Sequence, residues 1–280
     1  MLGPAVLASC VAQLAMRPTF VTFGDSITQR GFAPGWTGQL ADAYQRRVDV
    51  LNRGYNGYNT RWALQLLDRV FPNNTAAPPP RLVTIFFGAN DAALPDRGSA
   101  RQHVPVEEYA SNLRAMVAHL RSIGVPAVIL ITPPPISEPD RLVHVEKTYG
   151  VRLAVPERTN EAAGQYAAAA EAVAQELGVP CLNLWRAFQE VPGWQQGLLN
   201  DGLHLTQEGN AEVYHLLQAL IDERFPELRV SRIPQDAPDH SAIDPQDVPV
   251  AFEKHFAKQQ RRHETEAAQQ AARSPSREEL

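Results

Sequence analysis

Ser26 follows a short apolar run and is the first residue whose position suggests chemistry. Residues 20–28 read F-V-T-F-G-D-S-I-T, so a stretch of strand-like composition stops at Gly24 and leads to Asp25 and Ser26. Glycine permits a tight turn, and polar residues behind a strand often open a helix whose first backbone N–H groups lack partners. Such a helix start stabilises negative charge. Taken alone, however, a serine here is more often an ordinary helix N-cap than a nucleophile.

A nucleophilic serine needs a general base, and the base needs a group that orients it. Among the eight histidines, His204 has suitable surroundings, because it ends the motif D-G-L-H in a turn-rich stretch. The D-x-x-H spacing lets the carboxylate of Asp201 accept a hydrogen bond from one imidazole nitrogen. The other nitrogen is then free to take a proton from Ser26. An incidental histidine in a surface turn is the alternative, and it is the commoner use of this motif alone.

Acyl transfer also requires hydrogen-bond donors for the oxyanion that develops on the carbonyl group. The second apolar run leads into G-Y-N-G-Y-N-T, where Gly57 turns the chain and leaves its N–H uncrowded. The third run ends F-F-G-A-N-D and offers the side-chain amide of Asn90. Each residue alone has a frequent structural use in a turn or a cap. Four such motifs in one chain are hard to ascribe to coincidence.

The elements that must position these residues are predicted by alternating strand-like and helical patterns, which are typical of a parallel sheet with crossover helices. The predicted strands are residues 20–23, 48–52, 82–87, 127–132 and 181–185. Apolar residues at helical spacing predict a helix over 109–120, which Gly124 ends, and another over 213–221 with Thr206 as its N-cap. Open α/β sheets bind ligands beyond the carboxyl ends of their strands, where three of the motifs lie.

Composition restricts the class of protein. The chain has 280 residues with 44% hydrophobic content, enough for one large domain and a tail. A net charge of -5 argues against a nucleic-acid partner or an anionic membrane surface. The only cysteines, Cys10 and Cys181, exclude a disulfide framework and a cysteine-rich metal site. We therefore expect a small-molecule substrate, no metal and a cytoplasmic location.

The two ends of the chain differ from the predicted domain at 18–228. Residues 1–17 form an apolar leader that lacks a basic start, so secretion is only the alternative, and it is too short to span a membrane. Residues 229–280 are polar and are expected to form a mobile tail. Within the tail, Phe252 and Phe256 fall four apart and could dock as a helical turn on the domain or on a second subunit. A solvated helix is the alternative, and a homodimer is left open.

In this order and spacing, the motifs resemble the four blocks of the SGNH or GDSL-type hydrolases, named for a serine, a glycine, an asparagine and a histidine. The blocks N-R-G-Y-N-G-Y-N-T-R-W-A-L, I-T-P-P-P-I, E-R-T-N-E and L-N-D-G-L-H-L are most similar to the isoamyl acetate-hydrolysing esterase branch. The resemblance covers roughly residues 18–225. It implies a three-layer α/β/α, flavodoxin-like fold with a central five-stranded parallel sheet.

The resemblance also implies a mechanism, namely ester hydrolysis without a cofactor through an acyl-enzyme. Ser26 would be the nucleophile, His204 the base and Asp201 the orienting acid. The oxyanion would be held by the backbone N–H groups of Ser26 and Gly57 and by the side chain of Asn90. The sequence lacks the G-x-S-x-G elbow of α/β-hydrolase lipases and the glycine-rich motifs of nucleotide-binding proteins. Asp25 is expected to organise the loop.

Substrate preference is less closely defined. By resemblance, a small aliphatic ester such as a short-chain acetate is expected, while a lipase, a thioesterase, a carbohydrate acetylesterase or a non-catalytic binding module remain open. Side chains expected to wall the pocket come from Trp36, Tyr55, Tyr58 and two predicted loops at 91–105 and 133–156. Core packing is an equally good use of Trp36.

Overall fold

A single parallel sheet forms the centre of the protein. The computed structural model describes residues 17–73 and 77–273. Its strands are β1 (Thr19–Gly24), β2 (Asp49–Gly54), β3 (Leu82–Phe86), β4 (Val128–Ile131) and β5 (Cys181–Leu182). All neighbouring pairs are parallel, and the strand order is β2-β1-β3-β4-β5. This is the flavodoxin-like order, in which the topological switch lies beside β1. The predicted fold is therefore confirmed.

The helices occupy both faces of the sheet and the loops between strands. In chain order they are α1 (Ser26–Gln29), α2 (Trp36–Ala43), α3 (Thr60–Leu64), α4 (Leu67–Val70), α5 (Val106–Ser122), α6 (Glu138–Tyr149), α7 (Asn160–Leu177), α8 (Leu184–Gln189), α9 (Trp194–Gly197), α10 (Gln207–Arg224) and α11 (Val248–Arg273). The predicted helices over 109–120 and 213–221 correspond to α5 and α10. Thr206 caps α10 as predicted, since its Oγ1 accepts from the N–H of Gly209 at 2.9 Å.

Two predicted segments differ from the observed ones. The strand predicted over 181–185 stops at Leu182, because the side chain of Asn183 accepts from the N–H of Arg186 at 2.9 Å and starts α8. The segment 133–156, predicted as a loop, contains the 12-residue helix α6, which ends at Gly150 with a φ of 67°. A capping side chain in one case and a left-handed glycine in the other decide these boundaries.

The core consists of one hydrophobic cluster on each face of the sheet. Phe20 faces the first cluster, which α2 and α10 cover, and Phe23 faces the second, which α5 and α7 cover. Trp36 is fully buried in the first cluster, where its ring packs against Phe86. Burial of a large apolar side chain contributes roughly 1.5–3 kcal/mol, so these clusters hold the helices against the sheet. Trp36 is thus a core residue, which was the second of the two uses that the sequence left open, and it does not line the pocket.

The first part of the predicted tail is attached to the domain. The N–H of Asp236 donates to the carbonyl of Arg46 at 2.7 Å, and the carboxylate of Asp236 accepts from Nε of Arg17, also at 2.7 Å. Ile233 is buried against the first cluster. Residues 229–238 are therefore packed rather than mobile, which corrects the expectation for this part of the tail. The polar composition of this segment suggested mobility, because composition does not reveal these specific hydrogen bonds.

Farther along the tail, α11 is hydrogen-bonded to the same segment. Nε2 atoms of His255 and Gln259 lie 3.0 and 2.6 Å from the carbonyl oxygen of Gln235. On this helix the rings of Phe252 and Phe256 are 6.2 Å apart, and Phe256 is 49% exposed. The predicted leader lies, except for Arg17, outside the described residues, as does Cys10. The boundary at residue 228 and the mobility of the later tail stay predictions.

Candidate active site

The turn behind β1 presents Ser26 at the carboxyl end of the sheet. Asp25, not Ser26, is the N-cap of α1, because its Oδ1 accepts from the N–H of Ile27 at 2.9 Å. A Cβ atom on Gly24 would lie 2.1 Å from Oγ1 of Thr28, so only glycine fits the start of this turn. Ser26 is consequently the first residue of the helix, and its hydroxyl is not used for capping. The reading of Ser26 as an ordinary N-cap does not hold.

Ser26, His204 and Asp201 are brought together in one hydrogen-bonded row. Oγ of Ser26 lies 2.9 Å from Nε2 of His204, and Nδ1 of His204 lies 2.7 Å from Oδ2 of Asp201. The other carboxylate oxygen, Oδ1, accepts from the N–H groups of Leu203 and His204. An ionised carboxylate only accepts hydrogen bonds, so the proton of His204 is on Nδ1 and Nε2 can accept from the serine. The curled-back D-x-x-H geometry is the one that the spacing predicts.

The electrostatic environment keeps Asp201 ionised. Burial opposes ionisation of this carboxylate, but the hydrogen bonds and charge of His204 and the nearby guanidinium of Arg141 outweigh it and hold its pKa well below the ordinary value. Nη1 of Arg141 lies 3.3 Å from Oδ2 of Asp201. An ionised acid at this point favours the Nδ1 tautomer and stabilises the imidazolium that forms when the base takes a proton.

Asn90 is linked to the loop that carries Gly57. Nδ2 of Asn90 donates to the carbonyl of Tyr58 at 2.9 Å, which links the end of β3 to the loop behind β2. The N–H of Asn56 in that loop donates to Oε1 of Gln29 on α1 at 2.7 Å. Gly57 itself has a φ of 78°, a left-handed conformation that favours glycine. The three strand ends that the sequence singled out therefore meet.

Three hydrogen-bond donors at these strand ends are without a partner among the described residues, wholly or in part. Within residues 17–73 and 77–273, the backbone N–H groups of Ser26 and Gly57 have no acceptor. The amide nitrogen of Asn90 has two hydrogens, of which Tyr58 takes one. Unpaired donors of this kind are what an oxyanion site requires.

One cavity is lined by His204 and another by Gly57. One, of about 420 Å³, is lined by His204 together with Ile27, Arg30, Pro34, Leu205 and Asn210 among others. The second, of about 350 Å³, is lined by Gly57 together with Tyr58, Trp62, Ser99, Arg101 and Gln102 among others. Tyr58 and part of the segment 91–105 line the second cavity, and their role as walls of the substrate pocket stays a prediction. Residues 133–156 line neither cavity, and Tyr55 instead packs edge-on against Phe23.

Sequence reasoning missed three buried charged residues next to the site. Arg141, Glu157 and Arg158 are each only 4–7% exposed. Nη2 of Arg158 donates to Oδ1 of Asn90 at 3.2 Å, and Arg141 contacts Asp201 as described above. Glu157 and Arg158 belong to the block E-R-T-N-E, which carried the resemblance but received no role. For Glu157 and Arg158 that block was the only signal in the sequence, and Arg141 had none, because nothing local shows which charges become buried.

Two further carboxylates lie buried behind the site. Burial raises the pKa of both Asp25 and Asp91 to about 7. Asp91 accepts from the N–H of Thr60 at 2.9 Å and thereby joins the end of β3 to the start of α3. Asp25 organises the turn behind β1 as its N-cap, as expected. Both carboxylates hold the strand ends in place and are fully buried, so they do not face a substrate.

The described part of the chain offers neither a metal site nor a membrane span. Across these residues, no three or more His, Cys, Asp or Glu side chains cluster in a way that could hold a metal ion. Nor is any helix among them both long and apolar enough to cross a membrane.

Comparison with known proteins gives consistent matches. Residues 22–212 match the model of the GDSL-like Lipase/Acylhydrolase family. A GDSL esterase/lipase of Arabidopsis thaliana is 50% identical over 242 residues, which cover 85% of this chain and 99% of that protein. An isoamyl acetate-hydrolyzing esterase 1 homolog of Bos taurus is 45% identical and covers 75% of this chain and 84% of its own length. The crystal structure of a lipase/acylhydrolase from Enterococcus faecalis superposes with a TM-score of 0.57 at 30% identity, covering 75% of this chain and 97% of that one.

Proposed function

Since this chain belongs to the GDSL-like lipase/acylhydrolase family and is a carboxylic ester hydrolase, we propose that it cleaves small aliphatic esters through an acyl-enzyme on Ser26. The observation that carries the proposal is the row of contacts from Ser26 through His204 to Asp201, at 2.9 and 2.7 Å. A triad of this kind is typical of serine hydrolases on unrelated folds.

In the proposed mechanism, Nε2 of His204 takes the proton of Ser26 as Oγ attacks the ester carbonyl carbon. Asp201 stabilises the imidazolium, which then returns its proton to the leaving alkoxide and releases the alcohol. Water, deprotonated by the same imidazole, attacks the acyl-enzyme and releases the carboxylic acid, and Ser26 recovers its proton. The negative oxygen of each tetrahedral intermediate is held by the N–H groups of Ser26 and Gly57 and by the amide of Asn90.

The positions of the cavities suggest how an ester lies in the site. The leaving oxygen must come within reach of Nε2 of His204, so the alcohol part is placed in the cavity that His204 lines. The carbonyl oxygen points toward Gly57 and Asn90. The cavities lined by Gly57 and by His204 have volumes of about 350 and 420 Å³, at the small end of ligand pockets, which supports a short acyl chain and an alcohol of a few carbons. The 45% identity to an isoamyl acetate-hydrolyzing esterase 1 homolog supports the same class.

Covalent labelling tests the nucleophile. We expect a fluorophosphonate probe to label the purified protein and Ser26→Ala to abolish both labelling and turnover of p-nitrophenyl acetate. Ser122→Ala, which changes an exposed serine on α5, is the matched control and should label like the wild type. If the wild type does not react where a control hydrolase does, a non-catalytic binding module is favoured instead.

Substrate class is tested separately, with p-nitrophenyl esters of acyl chains from two to sixteen carbons. We expect kcat/KM to be highest for the shortest chains. A preference for long chains would overturn the short-acyl proposal in favour of a lipase. Acyl-thioesters that outperform simple acetates would indicate a thioesterase, and acetylated sugars that do so would indicate a carbohydrate acetylesterase. A cytoplasmic location and the absence of a nucleic-acid partner remain predictions. Light scattering on the purified protein tests the homodimer that the sequence leaves open.

A further inference from the structure

A buried row of charged side chains connects the two sides of the site. Nη1 of Arg141 lies 3.3 Å from Oδ2 of Asp201 and donates to its backbone carbonyl at 3.2 Å. Nε and Nη2 of Arg141 reach Oε1 of Glu157 at 3.1 and 2.5 Å. The same oxygen accepts from Nη1 of Arg158 at 3.0 Å, and Nη2 of Arg158 donates to Asn90 at 3.2 Å. All five residues are between 4% and 8% exposed.

Burying this many charged side chains costs free energy unless good geometry and opposite charges compensate for the lost hydration. Each buried charge loses its hydration, and isolated ion pairs of this kind often contribute little to stability. Here the signs alternate from Asp201 to Arg158, so each charge except the first and last lies between two opposite ones. Nε of Arg158 also donates to the carbonyl of Ala89 at 2.9 Å and Nη2 to Oε1 of Gln102 at 2.6 Å. The guanidinium is thereby fixed in both position and orientation.

The orientation of the Asn90 amide follows from its two partners. A guanidinium group only donates hydrogen bonds, so the atom of Asn90 that faces Arg158 has to be the oxygen. The carbonyl of Tyr58 only accepts, so the atom that faces it has to be the nitrogen. Both partners specify the same orientation, and together they leave the second hydrogen of the NH₂ group for a substrate oxygen.

We propose that Arg158 is a positioning residue for the oxyanion donor Asn90 and that Arg141 is a positioning residue for the acid Asp201. Glu157 connects the two arginines, because it accepts hydrogen bonds from both. This inference rests on the proposed function. The backbone supports the Arg141 end: Gly202, between Asp201 and His204, has a φ of 76°, and a Cβ there would lie 2.8 Å from the backbone nitrogen of Arg141. The loop that carries the acid and the start of α6 are therefore in direct contact.

A double-mutant cycle tests the Arg158 part. We expect Arg158→Met to lower kcat ten- to a hundredfold with KM changed less than threefold, because the amide is present but no longer held. In the Asn90→Ala background, the same substitution should lower kcat less than threefold, since there is no amide left to hold. Arg158→Lys, which keeps the charge and one donor, should recover part of kcat. Arg114→Met, which removes an exposed arginine paired with Glu176, is the control and should leave kcat unchanged.

Additive effects of the Arg158 and Asn90 substitutions on kcat would overturn the positioning role of Arg158. If Arg158→Met lowers kcat by the same factor with Asn90 and without it, the residue acts only on general structure, and the positioning role is wrong. Should Arg158→Met fail to fold by circular dichroism, the same cycle with Arg158→Lys decides the question by the same criterion. A wild type that is not labelled at Ser26 overturns the proposed function. A wild type that is labelled and active, with additive losses, overturns the positioning role alone.

The Arg141 part has its own cycle. Arg141→Met should lower kcat at least tenfold in the wild type but less than threefold in the Asp201→Asn background. Equal factors in the two backgrounds would overturn this half of the proposal.

Discussion

Oγ of Ser26 lies 2.9 Å from Nε2 of His204, although 178 positions of sequence separate the two residues. Ser26 is the first residue of α1, which follows strand β1, and His204 lies in the loop before α10. Helix α10 packs on α2, on one face of the sheet, so its preceding loop reaches the carboxyl edge where β1 ends. The distance is short enough for proton transfer in the resting enzyme, and the predictions below depend on this arrangement.

Replacement of Asp201 by asparagine is expected to lower kcat by about 10⁴, the scale that a wrong imidazole tautomer produces in serine hydrolases. The backbone donors at Oδ1 keep an oxygen there, so the new NH₂ group takes the place of Oδ2 and faces Nδ1 of His204. The histidine then carries its proton on Nε2 and cannot accept from Ser26. Steady-state kinetics on p-nitrophenyl acetate measure the loss. Asp68→Asn, at an exposed site, is the control, and a near-normal rate in Asp201→Asn would remove Asp201 from the triad.

Truncation of Asn90 to alanine is expected to lower kcat by about 10²–10³ while the fold is kept, because one oxyanion donor is worth roughly 3–4 kcal/mol. The KM should change little, since the contact strengthens only as charge develops on the carbonyl oxygen. The exposed Asn73 provides the control variant Asn73→Ala. Activity close to that of the wild type in folded Asn90→Ala would show that this amide does not bind the oxyanion.

Substitution of Gly57 by alanine separates backbone strain from catalysis. At a φ of 78° an alanine costs about 1–2 kcal/mol, although the nearest atom to its Cβ, Nε2 of Gln102, is 3.4 Å away. Gly178, the C-cap of α7, has a similar φ of 63° with nothing within 4 Å of a Cβ, and Gly178→Ala is the control. We expect both variants to lose similar stability in denaturant unfolding, and only Gly57→Ala to lose at least tenfold in kcat. Because alanine keeps the backbone N–H, equal activity of the two variants would show that catalysis does not require glycine at position 57.

The buried Asp25 is expected to make stability depend on pH. Burial raises its pKa from 3.8 to about 7, so the folded protein binds a proton that the unfolded chain has released. This carboxylate therefore lowers the free energy of unfolding progressively from about pH 4 to pH 7, and the loss is complete above that range. Asparagine also caps a helix but carries no charge.

We accordingly expect Asp25→Asn to be more stable than the wild type at pH 8, by on the order of 2–4 kcal/mol, and no more stable at pH 4. Denaturant unfolding at a series of pH values measures the difference. Asp247→Asn removes an exposed carboxylate and serves as the control with no such trend. A constant difference between Asp25→Asn and the wild type across the series would show that folding does not raise the pKa of Asp25.

Much of the architecture could be predicted because its signals are local. Runs of apolar residues identified the five strands, and helical spacing with a threonine cap identified α10. The errors came where a single side chain outweighed the pattern, as at Asn183, which ends β5 early, or where polar composition concealed anchors, as at Asp236. Such contacts depend on partners distant in sequence, which no local pattern contains.

The sequence by itself determined the family and the order of the blocks, because residue type and spacing at strand ends are local properties of the chain. It also determined the candidate residues Ser26, Gly57, Asn90, Asp201 and His204. Only the tertiary structure decided that Asp25 caps α1 in place of Ser26. It alone also showed that Arg141, Glu157 and Arg158 are buried in a row between the acid and the amide. Burial and charge pairing arise only when segments distant in sequence come together and exclude water. The sequence of a charged residue is the same whether it lies on the surface or in the interior.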